Sequence, residues 1–368
     1  MTRAAVCFGS PSPEHDISIL TGLQAEQALS AGPVDVVALY WATNGGWYQV
    51  PSGSEAADFA DGVPRGATPV QLLTGPEGGF WAEGRRGRRT KLAIDGVVNC
   101  CHGVPGEDGT LQGLLDLAGL RYTGPSARGA ALGMDKLAFA GVMELAGLPT
   151  LPTVDLTADV DHLPFAPPYI VKPRFGGSSI GIHVIDDLVT ATALVATQPL
   201  LAEGAVIQPY LADAVDLNIS VKSYPMLALS AVERPLRAPE GRIYTYAEKY
   251  LQGREGMASA PRELPADIPT AVEADLRSHA EVVASVALVR SVARVDFLWD
   301  DDQLFVNEIN TIPGALGWYF WDNEGIPFGQ LLAEMLAEAE LGPTRRFRTE
   351  GADGTALRSA GTIASKLA

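Results

Sequence analysis

Four side chains near the end of the chain have the types and spacing to hold a cation and steady an anion at one point. They are Arg294, Asp296, Glu308 and Asn310. They lie in the run Arg294-Val-Asp-Phe-Leu-Trp-Asp-Asp-Asp-Gln-Leu-Phe-Val-Asn-Glu308-Ile-Asn310-Thr-Ile-Pro-Gly314. Two apolar stretches flank an acidic turn, which is the pattern of a β-hairpin. With Asp301–Gln303 as the loop, Asp296 falls opposite Glu308 and Arg294 opposite Asn310. Side chains alternate along a strand, so all four share one face. Two carboxylates and an amide oxygen suit Mg²⁺ held against substrate phosphates. An arginine beside them suits a developing oxyanion. Taken alone, the hairpin reads better as a solvated surface turn, so the rest of the chain must decide.

Other segments carry complementary chemistry. Lys172-Pro-Arg-Phe-Gly-Gly-Ser178-Ser179-Ile-Gly181 reads as a strand, a glycine-rich turn and a second strand. Glycines let backbone N–H groups approach phosphates, and the two serines add donors. It is not the phosphate loop that precedes a helix, and a plain hairpin turn explains it equally well. Gln208-Pro-Tyr-Leu211 ends an apolar strand and is placed to contact a base, with Asp216 following for ribose hydroxyls. His102-Gly-Val-Pro-Gly-Glu107-Asp108-Gly109 puts an imidazole and two acids on a strand-end loop, with no third metal ligand nearby. Tyr244-Thr-Tyr-Ala-Glu-Lys249-Tyr250 suits a lid over a nucleotide, or a solvated loop.

The elements that position these groups follow from periodicity. Residues 4–8 read as a buried strand, 17–30 as a helix and 34–40 as a second strand, the opening of an α/β domain. Residues 43–93 are rich in Gly, Pro and charge and read as loops with short strands. A strand over 93–101 leads to the His102 loop, and 110–118 is helical. A helix follows from Lys136 to residue 146. Strands at 169–172, 182–185 and 205–208 and a helix at 188–197 follow. Strands at 217–223 and 227–233, a polar loop at 234–262 and a helix at about 269–288 precede the hairpin. The loops with chemistry follow strand ends, where open α/β sheets place ligands.

Composition narrows the function classes. The chain has 368 residues, enough for two or three domains, and 47% are hydrophobic. The net charge of −17 opposes nucleic-acid binding, because no basic excess exists to neutralise phosphates. Three cysteines, Cys7, Cys100 and Cys101, have no metal spacing and suit a reducing compartment. No leader peptide or membrane-length apolar run is evident, which points to a cytoplasmic protein.

In chain order the signals are the Glu14 loop, HGVPGEDGTLQG, Met134-Asp135-Lys136, VKPRFGGSSIGI, Asp216, Glu248-Lys249-Tyr250, the Arg294/Asp296 strand and NEINTIPG. This wording and order, over residues 4–340, resemble the D-alanine–D-alanine ligase family of ATP-grasp enzymes. The resemblance implies an α/β and α+β fold: an N-terminal Rossmann-like domain followed by a two-lobed ATP-grasp fold. The implied divisions are a substrate domain (1–132), a central lobe (133–212), a C-terminal lobe with the magnesium site (213–341) and a loosely packed tail (342–368).

The implied activity joins two amino acids, by default into D-alanyl-D-alanine, through an acyl phosphate, with release of ADP and phosphate. By resemblance Lys136, Lys172 and Ser179 contact ATP phosphates, and Gln208, Leu211 and Asp216 hold adenosine. Lys249 also lies on the ATP. Asp296, Glu308 and Asn310 match ligands of two Mg²⁺ ions, for which Mn²⁺ can substitute. Arg294 and the Gly314 N–H match the oxyanion site. Glu14 matches the acid on the first substrate's ammonium, and His102 lies near its carboxylate. Glu14, Ser178 and Tyr250 match the trio that positions the second amine. A cytoplasmic homodimer serving cell-wall synthesis is implied.

One position departs from the family's wording. Tyr319 stands where the family has a serine that binds the second substrate's carboxylate. The run Trp318-Tyr-Phe-Trp321 is either core packing or a reshaped acceptor pocket. The alternatives are a ligase of natural-product synthesis with another acceptor, or an inactive nucleotide-binding regulator. A biotin-dependent carboxylase fits the HGVPGEDG loop less well.

Overall fold

The computed structural model describes residues 3–84, 87–236, 261–342 and 349–360. Lys249 and Tyr250 lie outside them. The chain builds three sheets. The first holds β1 (Arg3–Gly9), β2 (Asp35–Trp41), β3 (Trp47–Gln49), β4 (Thr68–Leu73), β5 (Gly79–Glu83), β6 (Arg89–Lys91) and β7 (Gly96–Asn99), in the order β6-β5-β4-β3-β2-β1-β7. β1 runs parallel to β2 and β7, while β3–β6 form an antiparallel meander on the β2 side. Thus the short strands expected among the loops of residues 43–93 extend the sheet. The outermost, β6, is exposed throughout. A charged edge strand resists further pairing, but the same charges hide it in the sequence. Trp41 and Trp47 stack across the β2–β3 hairpin at 4.8 Å.

The second sheet is small and antiparallel. It contains β8 (Val154–Asp155), β9 (Tyr169–Pro173), β10 (His183–Ile185) and β11 (Ala205–Pro209), in the order β10-β9-β11-β8. It places Lys172 at the end of β9 and Gln208 on the adjacent β11, with Lys172 paired to Val206.

The third sheet, also antiparallel, is ordered β14-β13-β12-β15-β16. Its strands are β12 (Val215–Lys222), β13 (Ala228–Pro235), β14 (Arg262–Glu263), β15 (Val292–Trp299) and β16 (Leu304–Asn310). Its two faces differ sharply because side chains alternate. Leu217, Ile219, Val295 and Phe297 point into a core completed by Phe139 and Met143 from the helix Lys136–Leu145 and Leu276 and Val283 from the helix Thr270–Val286. Asn218, Ser220, Arg294 and Asp296 point the other way. That second face is polar yet covered, and it carries the site.

The helix Phe328–Leu341 returns to the first sheet. Its Leu331, Leu332, Met335 and Leu336 pack with Phe8, Ile19 and Leu29. Apolar spacing of three and four residues gives this helix the stripe it buries. The tail contributes a short helix, Thr355–Ala360, with no buried residue.

Candidate active site

The hairpin delivers the expected register by an unexpected route. Arg294 pairs with Asn310 and Asp296 with Glu308, but the turn is four residues long, Asp300–Gln303. The register then shifts between Asp296 and Phe297, so Asn307 is an extra residue on β16. A bulge of this kind re-aims a side chain. Here the Asn307 Oδ1 accepts from Lys172 Nζ at 3.3 Å, linking the third sheet to the second.

Arg294 grips Asp296 with two bonds, Nε to Oδ1 at 2.6 Å and Nη2 to Oδ2 at 2.7 Å. Asn310 Nδ2 donates to the same Oδ2 at 3.0 Å. Burial works against the Arg294 charge, but the Asp296 carboxylate outweighs it and holds the guanidinium firmly protonated. No group of three His, Cys, Asp or Glu side chains forms a metal cluster among the described residues. The donor set here is two carboxylates, Asp296 and Glu308, and the Asn310 amide. That set fits a hard divalent cation whose remaining ligands are water and phosphate oxygens. An ionised carboxylate has about four lone-pair sites, so Asp296 can serve Arg294 and a cation together.

The glycine-rich turn faces the first domain. Ser178 and Ser179 both have positive φ, 52° and 57°. Ser178 Oγ donates to Glu14 Oε1. Glu14 is seated against Gly103, where a Cβ would come within 2.6 Å of its carboxylate oxygen. Lys136 Nζ donates to the Gly176 carbonyl of the same turn. Two residues with no earlier assignment anchor this region. Asp135 caps the helix Lys136–Leu145 through Leu137 and Ala138, and it binds Arg174 at 2.7 Å through both guanidinium contacts.

Gln208 fits a purine amine. Its Nε2 donates to Thr153 Oγ1 at 2.8 Å, while its buried Oε1 has no partner among the described residues. An orphaned buried carbonyl calls for a donor, and an exocyclic amine supplies one. Leu211 lies in the following turn and Asp216 near the start of β12.

The segment after β16 turns through left-handed backbone. Ala315, Leu316 and Gly317 have φ of 50°, 52° and 61°. Non-glycine residues there cost roughly 1–2 kcal/mol each, so the turn needs external support. The first domain provides it. Ile312 N donates to Glu107 Oε1 at 2.7 Å, and Thr311 Oγ1 donates to the same oxygen at 3.2 Å. Ala315 N donates to Thr21 Oγ1 at 3.2 Å. The Ile312 carbonyl can only accept, so His102 carries its proton on Nδ1, 2.9 Å away. His102 Nε2 then accepts from Thr21 at 2.8 Å. Burial lowers the His102 pKa to about 4, opposed by the bond to Ile312. Burial and then the Glu14 charge raise Glu107 to about 8, opposed by its hydrogen bonds. His102 is thus a neutral clamp on the Gly314 loop. Glu107 was visible in the sequence only as an acid beside His102.

The aromatic run divides. Phe320 and Trp321 are core, with Trp321 Nε1 donating to Ser220 Oγ at 3.0 Å. Trp318 stacks on Phe328. Tyr319 is half-buried and turns to the polar face, where its phenol lies 3.5 Å from Glu233 Oε2. Among the described residues, no helix is long and apolar enough to cross a membrane.

Comparison with known proteins identifies the family. The family described as D-ala D-ala ligase N-terminus matches residues 3–125, and D-ala D-ala ligase C-terminus matches residues 149–337. A D-alanine–D-alanine ligase of Bradyrhizobium sp. (strain ORS 278) is 30% identical over 351 residues, covering 92% of this chain and 95% of that protein. One from Mycolicibacterium smegmatis (strain ATCC 700084 / mc(2)155) is 32% identical over 366 residues, with coverage of 92% and 95%. Among solved structures, the D-alanine–D-alanine ligase from Helicobacter pylori superposes with a TM-score of 0.72 at 22% identity, covering 93% of this chain and 100% of that one. The VanG D-Ala:D-Ser ligase from Enterococcus faecalis gives 0.73 at 22%, covering 92% and 99%. These structures share the ATP-grasp fold.

Proposed function

Because the chain belongs to the D-alanine–D-alanine ligase family, an ATP-dependent group of dipeptide ligases that use a divalent metal, we propose that it forms D-alanyl-D-alanine with the residues assembled above. The observation that carries the assignment is the single polar face shared by Arg294, Asp296, Glu308 and Asn310. Neither a different acceptor nor an inactive regulator gains support from the relatives.

The first amino acid docks its ammonium on Glu14. Its carboxylate attacks the γ-phosphate of ATP, forming an acyl phosphate and releasing ADP. Two anions must meet, and Lys136 and Lys172 offset their repulsion. Asp296, Glu308 and Asn310 would hold the divalent cation, two ions in this proposal, with Mn²⁺ able to replace Mg²⁺. When bound, the cation neutralises phosphate charge. The second amino acid's amine then attacks the acyl carbon. Arg294 and the Gly314 N–H receive the oxyanion, and phosphate departs as the amide forms.

In this proposal His102 lies near the first substrate's carboxylate, and its bonds to Thr21 and Ile312, with that of Glu107 to Ile312, also help position the Gly314 loop. Ser178 closes the glycine turn onto Glu14, and Ser179 adds a phosphate donor. Gln208, Leu211 and Asp216 take the adenosine. Lys249 and Tyr250, outside the described residues, keep the roles implied by the family resemblance. A cytoplasmic homodimer supplying peptidoglycan synthesis belongs to the same proposal.

Isotope transfer tests the route. D-alanine labelled with ¹⁸O in its carboxylate should pass one label to each phosphate released, because the attacking oxygen leaves with the phosphoryl group. Phosphate without label would mean direct hydrolysis of ATP and would overturn the acyl-phosphate route.

A further inference from the structure

Resting on the assignment of Gln208 to the adenine, we infer that Thr153 selects the base: it locks the Gln208 amide so that the site matches a purine with an amine at its 6-position. The first support is register. β8 pairs with β11 through Val154–Ile207 and Asp155–Val206. One step further along, Thr153 falls opposite Gln208. Val206 also pairs with Lys172 on β9. Facing residues share a side of a sheet, as do residues two apart. Thr153, Gln208 and Lys172 therefore lie on one face of the second sheet. That face looks toward the third sheet, because Lys172 Nζ donates to Asn307 Oδ1 at 3.3 Å.

Counting protons then fixes the amide. Thr153 Oγ1 lies 2.9 Å from the Leu151 carbonyl oxygen and 2.8 Å from Gln208 Nε2. A hydroxyl has one proton to donate. The carbonyl of buried Leu151 can only accept, so it takes that proton. The Thr153 oxygen is left to accept, and the end of an amide that donates is its nitrogen. Turning the amide over would set Oε1 against an oxygen whose proton is already committed, and a bond would be lost outright. Oε1 is therefore held away from Thr153, where it is buried and has no hydrogen-bond partner.

An acceptor fixed in this way discriminates by polarity. The 6-amine of adenine donates to it. The 6-carbonyl of guanine or hypoxanthine presents a second acceptor, and two buried acceptors repel. An amide free to rotate would serve both kinds of base, since it carries a donor and an acceptor. Selectivity therefore resides in the residue that stops the rotation as much as in Gln208. Thr153 acts through Gln208 and is a positioning residue.

The test compares ATP with inosine triphosphate, which carries a 6-carbonyl and lacks guanine's second amine. Calorimetry of the full-length protein with Mg²⁺ and no amino acid gives the Kd of each nucleotide, and dipeptide formation is then assayed with each. Wild type should favour ATP on the order of 10- to 100-fold. Thr153→Val keeps the shape and removes the hydroxyl. It should bring the ratio of the two affinities close to one, mainly by admitting inosine triphosphate, while the KM for D-alanine holds. Thr153→Ser keeps the hydroxyl and should keep the preference. Thr153→Ala is a second variant without the hydroxyl, for use if valine disturbs packing beside β8. In a Gln208→Leu background no amide remains to be locked, so Thr153→Val should alter the ratio no further.

An unchanged ratio in folded Thr153→Val or Thr153→Ala would overturn the inference. So would an equal loss of affinity for both nucleotides, which is what a packing role alone would give. A wild type that binds both alike would remove the adenine contact of Gln208 and this inference with it. Selective ATP binding without any dipeptide would fail the ligase reading alone, and the Thr153 ratio would still be read from binding.

Discussion

Asp296→Asn should cost stability as well as turnover, and divalent cations should not restore it. Arg294 and Asp296 meet through bonds of 2.6 and 2.7 Å, with side-chain exposures of 21% and 13%. At about 4 Å between charge centres and an effective dielectric of about 20, their attraction is about 4 kcal/mol. Partial exposure and the remaining Asn310 contact reduce the expected loss to about 2–3 kcal/mol, at or below the range for breaking a buried pair. Arg294→Ala should lose a similar amount, because it strands the carboxylate. The two variants part company when Mg²⁺ and nucleotide are added. A cation can satisfy the stranded Asp296 in Arg294→Ala, so that variant should regain stability. Asp296→Asn should gain less from Mg²⁺ than wild type does. Urea unfolding with and without Mg²⁺ and a non-hydrolysable ATP analogue measures both effects. Equal stabilisation of wild type and Asp296→Asn by the metal complex would refute the assignment of Asp296 as a ligand.

Three further outcomes follow from the geometry. Glu107 is raised to about 8 from an ordinary 4.5, so between those values the folded chain holds a proton that the unfolded chain lacks. Its contribution to stability is therefore full below about 4.5 and fades as pH rises through about 8; Glu107→Gln should flatten this part of a stability–pH profile, and an unaltered slope would remove Glu107 as its source. Gln208→Leu removes the orphaned Oε1 and should raise the KM for ATP about tenfold while eroding preference over GTP; unchanged nucleotide selectivity in steady-state assays would count against the adenine contact. Gly103 has φ 67° and a Cβ there would lie 2.6 Å from Glu14, so Gly103→Ala should displace that carboxylate and weaken turnover on the order of 10²-fold; wild-type kinetics for the first amino acid would show that Glu14 does not hold it.

Much of the site was legible because strand alternation and motif order are local properties. The facing pairs Arg294–Asn310 and Asp296–Glu308 follow from counting along two apolar runs. The bulge at Asn307 does not, since one extra residue leaves the apolar pattern nearly unchanged. It is nevertheless what brings Asn307 to Lys172. Among the short strands β3–β6, β6 is the least legible, because as the edge of the sheet it carries the charges of Arg89-Thr-Lys91 where central strands carry Val and Ile. Contacts across more than 200 residues, such as Glu107 with Ile312, leave no periodic trace. The aromatic run shows the same limit. Its composition fitted core or pocket, and only the fold separates buried Phe320 and Trp321 from Tyr319 beneath Arg262.

The central claim is that this polar face joins two amino acids at the expense of ATP. The most direct measurement is phosphate release from ATP and Mg²⁺ across D- and L-amino acids, singly and in pairs, with mass spectrometry of the products. The account predicts release that depends on D-alanine, with one D-alanyl-D-alanine formed for each phosphate. Phosphate released without any dipeptide, or no release with any amino acid, would contradict it.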